Sequence, residues 1–122
     1  MAKKILLIED EPSLANALKL KLFSTGYEVE IAENGKIGLE KMKSNTYDLV
    51  LLDLILPEVD GFQVLEEVRS WPSHAPIVVL SNLSQDEDKQ RVRDLGAIDF
   101  FVKSDIELFK LVGYIDNFFS KK

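Results

Sequence analysis

Hydrophobic positions in this chain switch between the strand-like and the helix-like pattern five times, with no linker, repeat or low-complexity stretch between. KKILLIE (3–9) is an unbroken apolar run, the pattern of a strand covered on both faces. Pro12 follows at a first-helical position, and Leu14, Leu18 and Leu22 with Ala15 and Ala17 make a stripe of helical period that Gly26 stops. YEVEIA (27–32) is short and alternating, which predicts an edge strand, and Asn34-Gly35 turns the chain into a helix bearing Ile37, Leu39 and Met42. YDLVLLD (47–53) is the most apolar run and is predicted to be central. Beyond the loop LILPEVDG, Phe62, Val64, Leu65 and Val68 mark a third helix, with Asp60 and Gln63 at capping-box spacing and Trp71-Pro72 ending it. PIVVLS (76–81) is the fourth strand. The helix near 85–95 behind it has Ser84 and Glu87 as its expected capping pair, and only Val92 and Leu95 as main apolar contributions, so its attachment should be weak. AIDFFVK (97–103) is the last strand, and Ser104 with Glu107 is expected to cap a final helix that includes Ile106, Leu111, Ile115, Phe118 and Phe119.

Five βα units with short crossovers predict an α/β fold, a parallel sheet with helices on both faces. In the flavodoxin-like doubly wound (βα)5 arrangement, five-stranded with order 2-1-3-4-5, strands 1 and 3 lie side by side and the ligand crevice opens outside the carboxyl ends of the strands. The runs end in Glu9 and Asp10, in Asp53, in Ser81 and in Lys103, so three carboxylates, a hydroxyl and an ammonium are predicted to converge there.

At 122 residues the chain is expected to form one domain, 1–122, with a real core. Its 46% apolar and 30% charged content is that of a soluble globular protein, and no apolar run approaches the roughly 20 residues that span a bilayer. MAKKILLIEDE lacks a cleavage-type small-residue site and does not read as a signal peptide; without cysteine there is no disulfide framework or thiolate metal site, so the cytoplasm is the expected location. With 21 acids against 15 bases the net charge is −6, a poor basis for neutralising nucleic-acid phosphates, and Lys121 and Lys122 are too few to change that.

Singly, each strand-tip residue has a plain reading: Asp10 as a first-turn acid, Asp53 as a turn residue, Ser81 as a turn hydroxyl, Lys103 as a surface lysine with a snorkelling stem. Together, three carboxylates facing one crevice repel and raise one another's pKa unless a cation neutralises them, and Mg²⁺ suits a few such oxygens combined with phosphate and water. Asp53 is the best nucleophile of the three, since aspartyl carboxylates form acyl phosphates. Lys103 offers a point charge to phosphate oxygens and Ser81 a hydrogen bond.

These residues resemble, over essentially the whole chain, a response-regulator receiver domain of two-component signalling. Glu9-Asp10 resembles the family's acidic metal-binding pair, and Asp53-Leu-Ile-Leu-Pro57-Glu-Val-Asp60-Gly61 its phosphoacceptor loop; Ser81, Lys103 and Phe100 fall at the hydroxyl, lysine and aromatic-switch positions. The resemblance implies a phosphorylation-dependent switch rather than an enzyme, beyond self-phosphorylation and self-dephosphorylation of Asp53. A histidine kinase or phosphotransfer protein would donate to Asp53. Mg²⁺ would be held by Asp10, Asp53 and the backbone carbonyl of Ile55, with Glu9 acting directly or through water. Ser81 and Phe100 would then change the face made by helix 4, strand 5 and helix 5 for an output partner of unknown identity, the receiver being a monomer or a weak phosphorylation-dependent dimer. With the acidic charge and the short apolar runs, no direct nucleic acid or membrane contact is expected, and the chain is either a stand-alone regulator or the excised N-terminal half of a DNA-binding one.

Four features depart from the family's pattern. Ser104 follows the lysine where proline is usual, and since a cis bond before a non-proline residue costs about 2.5–4 kcal/mol a trans peptide is expected. Asn82 replaces a usual Ala or Gly and narrows access to Asp53. Ile55 and Leu83 are apolar where fast-hydrolysing receivers often carry polar groups, which predicts slow hydrolysis of a phosphorylated Asp53. Helix 5 has no arginine for a charge-paired dimer face. Other classes fit less well: a dehalogenase-type hydrolase needs Asp-x-Asp at strand 1, where KILLIEDEP lacks it; a nucleotide or flavin carrier lacks its glycine-rich loop; and the intact acid–Asp–Ser–Lys set argues against an unphosphorylated adaptor. His74 is expected to be an exposed loop residue.

Overall fold

The computed structural model describes residues 2–120; Lys121 and Lys122, and with them the last stretch of the expected 1–122 domain, lie outside the described residues. Strands β1 (Lys4–Ile8), β2 (Glu28–Ala32), β3 (Leu49–Leu52), β4 (Ile77–Ser81) and β5 (Asp99–Val102) alternate with helices α1 (Pro12–Ser24), α2 (Gly35–Ser44), α3 (Gly61–Arg69), α4 (Asp86–Asp94) and α5 (Leu108–Ser120). All strand pairs are parallel, in the order β2-β1-β3-β4-β5. The expected topology, the edge position of β2 and the central position of β3 are all present.

Successive strand side chains point to opposite faces, and here the alternation divides the apolar residues into two buried clusters. Ile5 and Leu7 of β1, Leu49 and Leu51 of β3, and Val78 and Leu80 of β4 meet Ala15, Leu18 and Leu22 of α1 and Leu111, Val112 and Ile115 of α5. Leu6, Ile8, Val50, Leu52, Ile77 and Val79 face the other way, onto Val64, Leu65 and Val68 of α3 and Val92 of α4. Phe118 and Phe119 are half-buried against the α1–α5 cluster, Phe119 lying 5.4 Å from the Tyr27 ring.

The helix starts follow the local chemistry, with two corrections. Pro12 opens α1, and Gly26 beyond its end has φ 103°, a conformation that favours glycine. Asn34 Oδ1 accepts Ile37 N–H at 2.8 Å. At α3 the Asp60–Gln63 box is formed in both directions, each bond 2.9 Å. At α4 the expected Ser84–Glu87 pair is displaced by one residue: Gln85 is the N-cap, and its N–H donates to Asp88 Oδ2 at 3.3 Å. Glu87 instead joins Asp86 and Asp88 in the first turn, where acids suit the exposed N–H groups. Ser104 does not cap α5. Asp105 and Ile106 N–H both return to Val102 O, closing a turn, and the helix begins at Leu108. Among the described residues no peptide bond is cis, Lys103–Ser104 included. His74 lies exposed in its loop, with Nδ1 2.7 Å from Ala75 O.

α4 has Val92 as its one buried residue, whereas α3 buries five. Besides Val92, cationic contacts join α4 to the body: Arg91 lies 4.1 Å from the Phe62 ring centroid and 3.3 Å from Glu66 Oε2, and Lys89 Nζ sits 5.9 Å from the Phe100 ring. Segments with few buried apolar contacts open at low free energy. Amide hydrogen exchange should therefore be faster in α4 than in α3. Equal protection of the two helices would show that the cationic ties hold α4 as firmly as apolar packing holds α3.

Candidate functional site

The strand register decides which side chains meet at the carboxyl edge of the sheet. Ile8 pairs with Leu52, so Glu9 and Asp53 follow side by side, Asp53 N–H donating to Ile8 O at 3.1 Å. Ser81 pairs with Val102, and Lys103 N–H donates to Ser81 O at 3.1 Å. The polar tips thus lie at or just past the last paired residues, and the lysine reaches inward over the edge.

Lys103 Nζ lies 2.7 Å from Asp53 Oδ2 and 2.7 Å from Glu9 Oε1. Both acids are nearly inaccessible, at 5% for Asp53 and 2% for Glu9. Glu9 Oε2 also accepts Glu11 N–H at 3.0 Å. Burial raises the Glu9 pKa, since it disfavours the charged form, and the neighbouring Asp53 charge adds to this; the Lys103 and Glu11 hydrogen bonds only partly offset it. For Lys103 burial pulls the other way, toward losing the proton, yet the hydrogen bonds to Asp53 and Glu9 outweigh it and its pKa is raised. The ammonium is held charged.

Asp10 is exposed at the mouth, and among the described residues it makes no ion pair. One carboxylate oxygen from each of Glu9, Asp10 and Asp53 lies within 4.8 Å of the others. Three acids against one ammonium leave an excess of negative charge, in a donor set of oxygens that suits a hard divalent cation.

Ser81 is fully buried at the end of β4, and its Oγ accepts Leu83 N–H at 3.3 Å. Phe100 is half-buried against the α3-side cluster, with Lys89 Nζ 5.9 Å from its ring centroid. Ile55 N–H donates to Asp53 Oδ1 at 3.3 Å, while its side chain is 58% exposed. Leu83 packs against the α3-side cluster rather than standing free.

Two features of the site have no counterpart in the sequence reading. A Cβ on Gly61 would come within 2.4 Å of Asp53 O and 2.6 Å of Leu54 Cα, so the start of α3 presses directly on the Asp53 backbone. The Asp60-Gly61 dipeptide was the available signal, because a glycine at a helix start permits this close approach. The second is that Asn82 Oδ1 accepts the Ser104 N–H at 2.8 Å, joining two of the departing positions to each other. Nothing in the local sequence of either one points to the other.

A sequence model of the response regulator receiver domain matches residues 5–113. The chain belongs to that family. Response regulator ArlR of Staphylococcus saprophyticus is 45% identical over 105 residues, covering 85% of this chain and 47% of that protein. Transcriptional regulatory protein DltR of Streptococcus agalactiae is 43% identical over 100 residues, covering 82% of this chain and 45% of that protein. The chain thus spans about half the length of the curated relatives it matches. A CheY-like receiver domain protein from Methanospirillum hungatei superposes with a TM-score of 0.91 at 25% identity, over 99% of this chain and 96% of that one. The α/β fold with its 2-1-3-4-5 sheet is that of a receiver in two-component signalling.

Because Gly61 presses on the Asp53 backbone, Gly61→Ala should destabilise this receiver by about 1–3 kcal/mol, the usual cost of an added methyl group in a closely packed place. Urea denaturation would check this. Unchanged stability would mean that the 53–61 loop yields without cost.

Proposed function

We propose that this receiver is a phosphorylation-dependent switch whose phosphoacceptor is Asp53. The observation that carries the reading is the Lys103 ammonium held 2.7 Å from both Asp53 and Glu9, with Asp10 beside them at the mouth. In the proposed transfer, an Asp53 carboxylate oxygen attacks the phosphorus of a phosphohistidine on a histidine kinase or phosphotransfer protein. The new O–P bond forms as the N–P bond breaks, and the imidazole leaves with the electron pair and takes up a proton. Such transfer depends on positioning and charge neutralisation far more than on covalent help from the protein. Lys103 supplies a fixed positive charge for the phosphoryl oxygens, and the Ser81 hydroxyl, whose oxygen accepts from Leu83 N–H, keeps its own O–H to donate to one of them.

Asp10, Asp53 and the Ile55 backbone carbonyl would hold Mg²⁺, with Glu9 acting directly or through water. When bound, the ion would offset the negative charge of the acids and the incoming phosphoryl group. Phe100 is the proposed aromatic switch, and the face made by α4, β5 and α5 the output surface. The lightly buried α4 supports this, because an element with little apolar packing can adopt a second position. The domain boundaries 1–122, the output partner, a monomeric or weakly dimeric state and a cytoplasmic location belong to the same reading. Among the described residues no helix is long and apolar enough to cross a membrane.

Intact-mass measurement after treatment with acetyl phosphate and Mg²⁺ should show one added phosphoryl group, lost in Asp53→Asn. Labelling of that variant at another residue would remove Asp53 from its role. Asp10→Asn should remove the acid that lacks a cation, so metal-free protein should melt higher than wild type while gaining less from added Mg²⁺. An equal Mg²⁺-dependent rise in the two proteins would place the ion elsewhere. Hydrolysis of phospho-Asp53 should be slow, since the exposed Ile55 side chain at the rim can neither orient nor activate an in-line water. Ile55→Asn should shorten the phosphoryl lifetime; an unchanged decay would rule out this barrier.

A further inference from the structure

The loops that carry Ser81 and Lys103 are joined beyond the ends of their strands. Lys103 N–H donates to Ser81 O at 3.1 Å, the last backbone bond of the β4–β5 ladder at the site. One residue further on, Ser104 N–H donates to Asn82 Oδ1 at 2.8 Å. The side-chain carbonyl of Asn82 thus adds a link beyond the last ladder bond, at the point where the chain leaves β4 for α4. The pairing needs an acceptor of this length at 82 and a backbone N–H at 104. Alanine or glycine at 82 lacks the first, and proline at 104 lacks the second.

The bond sits next to both groups that would grip a phosphoryl oxygen. Ser81 precedes Asn82 and Lys103 precedes Ser104, so tying 82 to 104 restrains the spacing between the Ser81 hydroxyl and the Lys103 ammonium. On the other side of the loop, among the described residues, Ser81 Oγ accepts the longer 3.3 Å bond from Leu83 N–H. Two groups from different strands act on one ligand most effectively when their separation is set before it arrives.

We infer that Asn82 is a positioning residue: its hydrogen bond from Ser104 N–H holds the Ser81 and Lys103 tips in the arrangement that captures a phosphoryl group on Asp53. This rests on the assignment of Asp53 as phosphoacceptor. Asn82 acts through the backbone of its neighbours and does not itself touch the group.

The test is titration with beryllium fluoride and Mg²⁺, a tetrahedral stand-in for the phosphoryl group, together with exchange of the Ser104 amide proton in the untreated protein. Asn82→Ala and Ser104→Pro should each weaken beryllium fluoride binding by about two- to tenfold, the worth of one hydrogen bond. The double variant should be no weaker than either single variant, because both remove the same bond. Ser104→Ala keeps the backbone N–H and should match wild type. Asn82→Leu keeps the bulk without the acceptor and should match Asn82→Ala. Exchange at Ser104 should speed up in Asn82→Ala. Independent, multiplying losses in the double variant, or wild-type affinity in Asn82→Ala, would overturn the positioning role. If wild type itself fails to bind while the Ser104 amide is still protected by Asn82, the bond exists but the phosphoacceptor reading falls, and the role with it.

Discussion

Lys103 is the cation on which the site depends. Its side chain starts beyond β5, at one edge of the sheet, and reaches past β4 to carboxylates at the tips of β3 and β1. Removing a carboxylate from water costs several kcal/mol per ion, and two such groups side by side also repel. The ammonium offsets both costs, at 2.7 Å from each acid and with only 13% of its own side chain exposed. Without a cation in that place the two acids would have to take up a proton or move apart. The surrounding backbone serves the same arrangement: Ile8 O fixes Asp53 N–H, Ser81 O fixes Lys103 N–H, and Gly61 lets α3 close on the Asp53 carbonyl.

The two faces of the sheet are built to different standards. On one, α1 and α5 bury aliphatic side chains against alternate residues of the three inner strands. On the other, α3 does the same, but α4 contributes Val92 and otherwise relies on Arg91 and Lys89. Ion pairs and cation–π contacts at exposed positions are individually worth about 1 kcal/mol or less, against about 1.5–3 kcal/mol for a fully buried aliphatic side chain. By that comparison α4, the helix beside the Ser81 loop, is held by less apolar packing than α3.

Much of this was legible in the residues. The unbroken run at 3–9 read as a strand covered on both faces, those at 47–53 and 76–81 as a central and a fourth strand, and the polar residues ending the runs marked where those side chains meet. The Asp60–Gln63 cap was readable because its partners are three residues apart. Capping at α4 and α5 was not, because several Ser, Asp and Glu side chains compete within one turn and only tertiary packing decides which register wins. The Asn82–Ser104 bond was out of reach for another reason. Its partners are separated by 22 positions, and one of them is a backbone N–H that every residue except proline possesses. The Phe100 environment, with Lys89 over its ring, likewise comes from two elements whose mutual placement no local pattern encodes.

The division of each inner strand into two sets of alternate residues has a consequence for how errors are excluded. If β3 slipped by one position against its neighbours, Leu49 and Leu51 would exchange faces with Val50 and Leu52, and the apolar volumes of both layers would be mismatched at once. The same slip would carry Asp53 out of line with Glu9. Packing and charge alignment therefore penalise the same slip, so the register that fills both layers is also the one that sets Glu9 beside Asp53. Quality control of the chemistry is delegated to the oily interior.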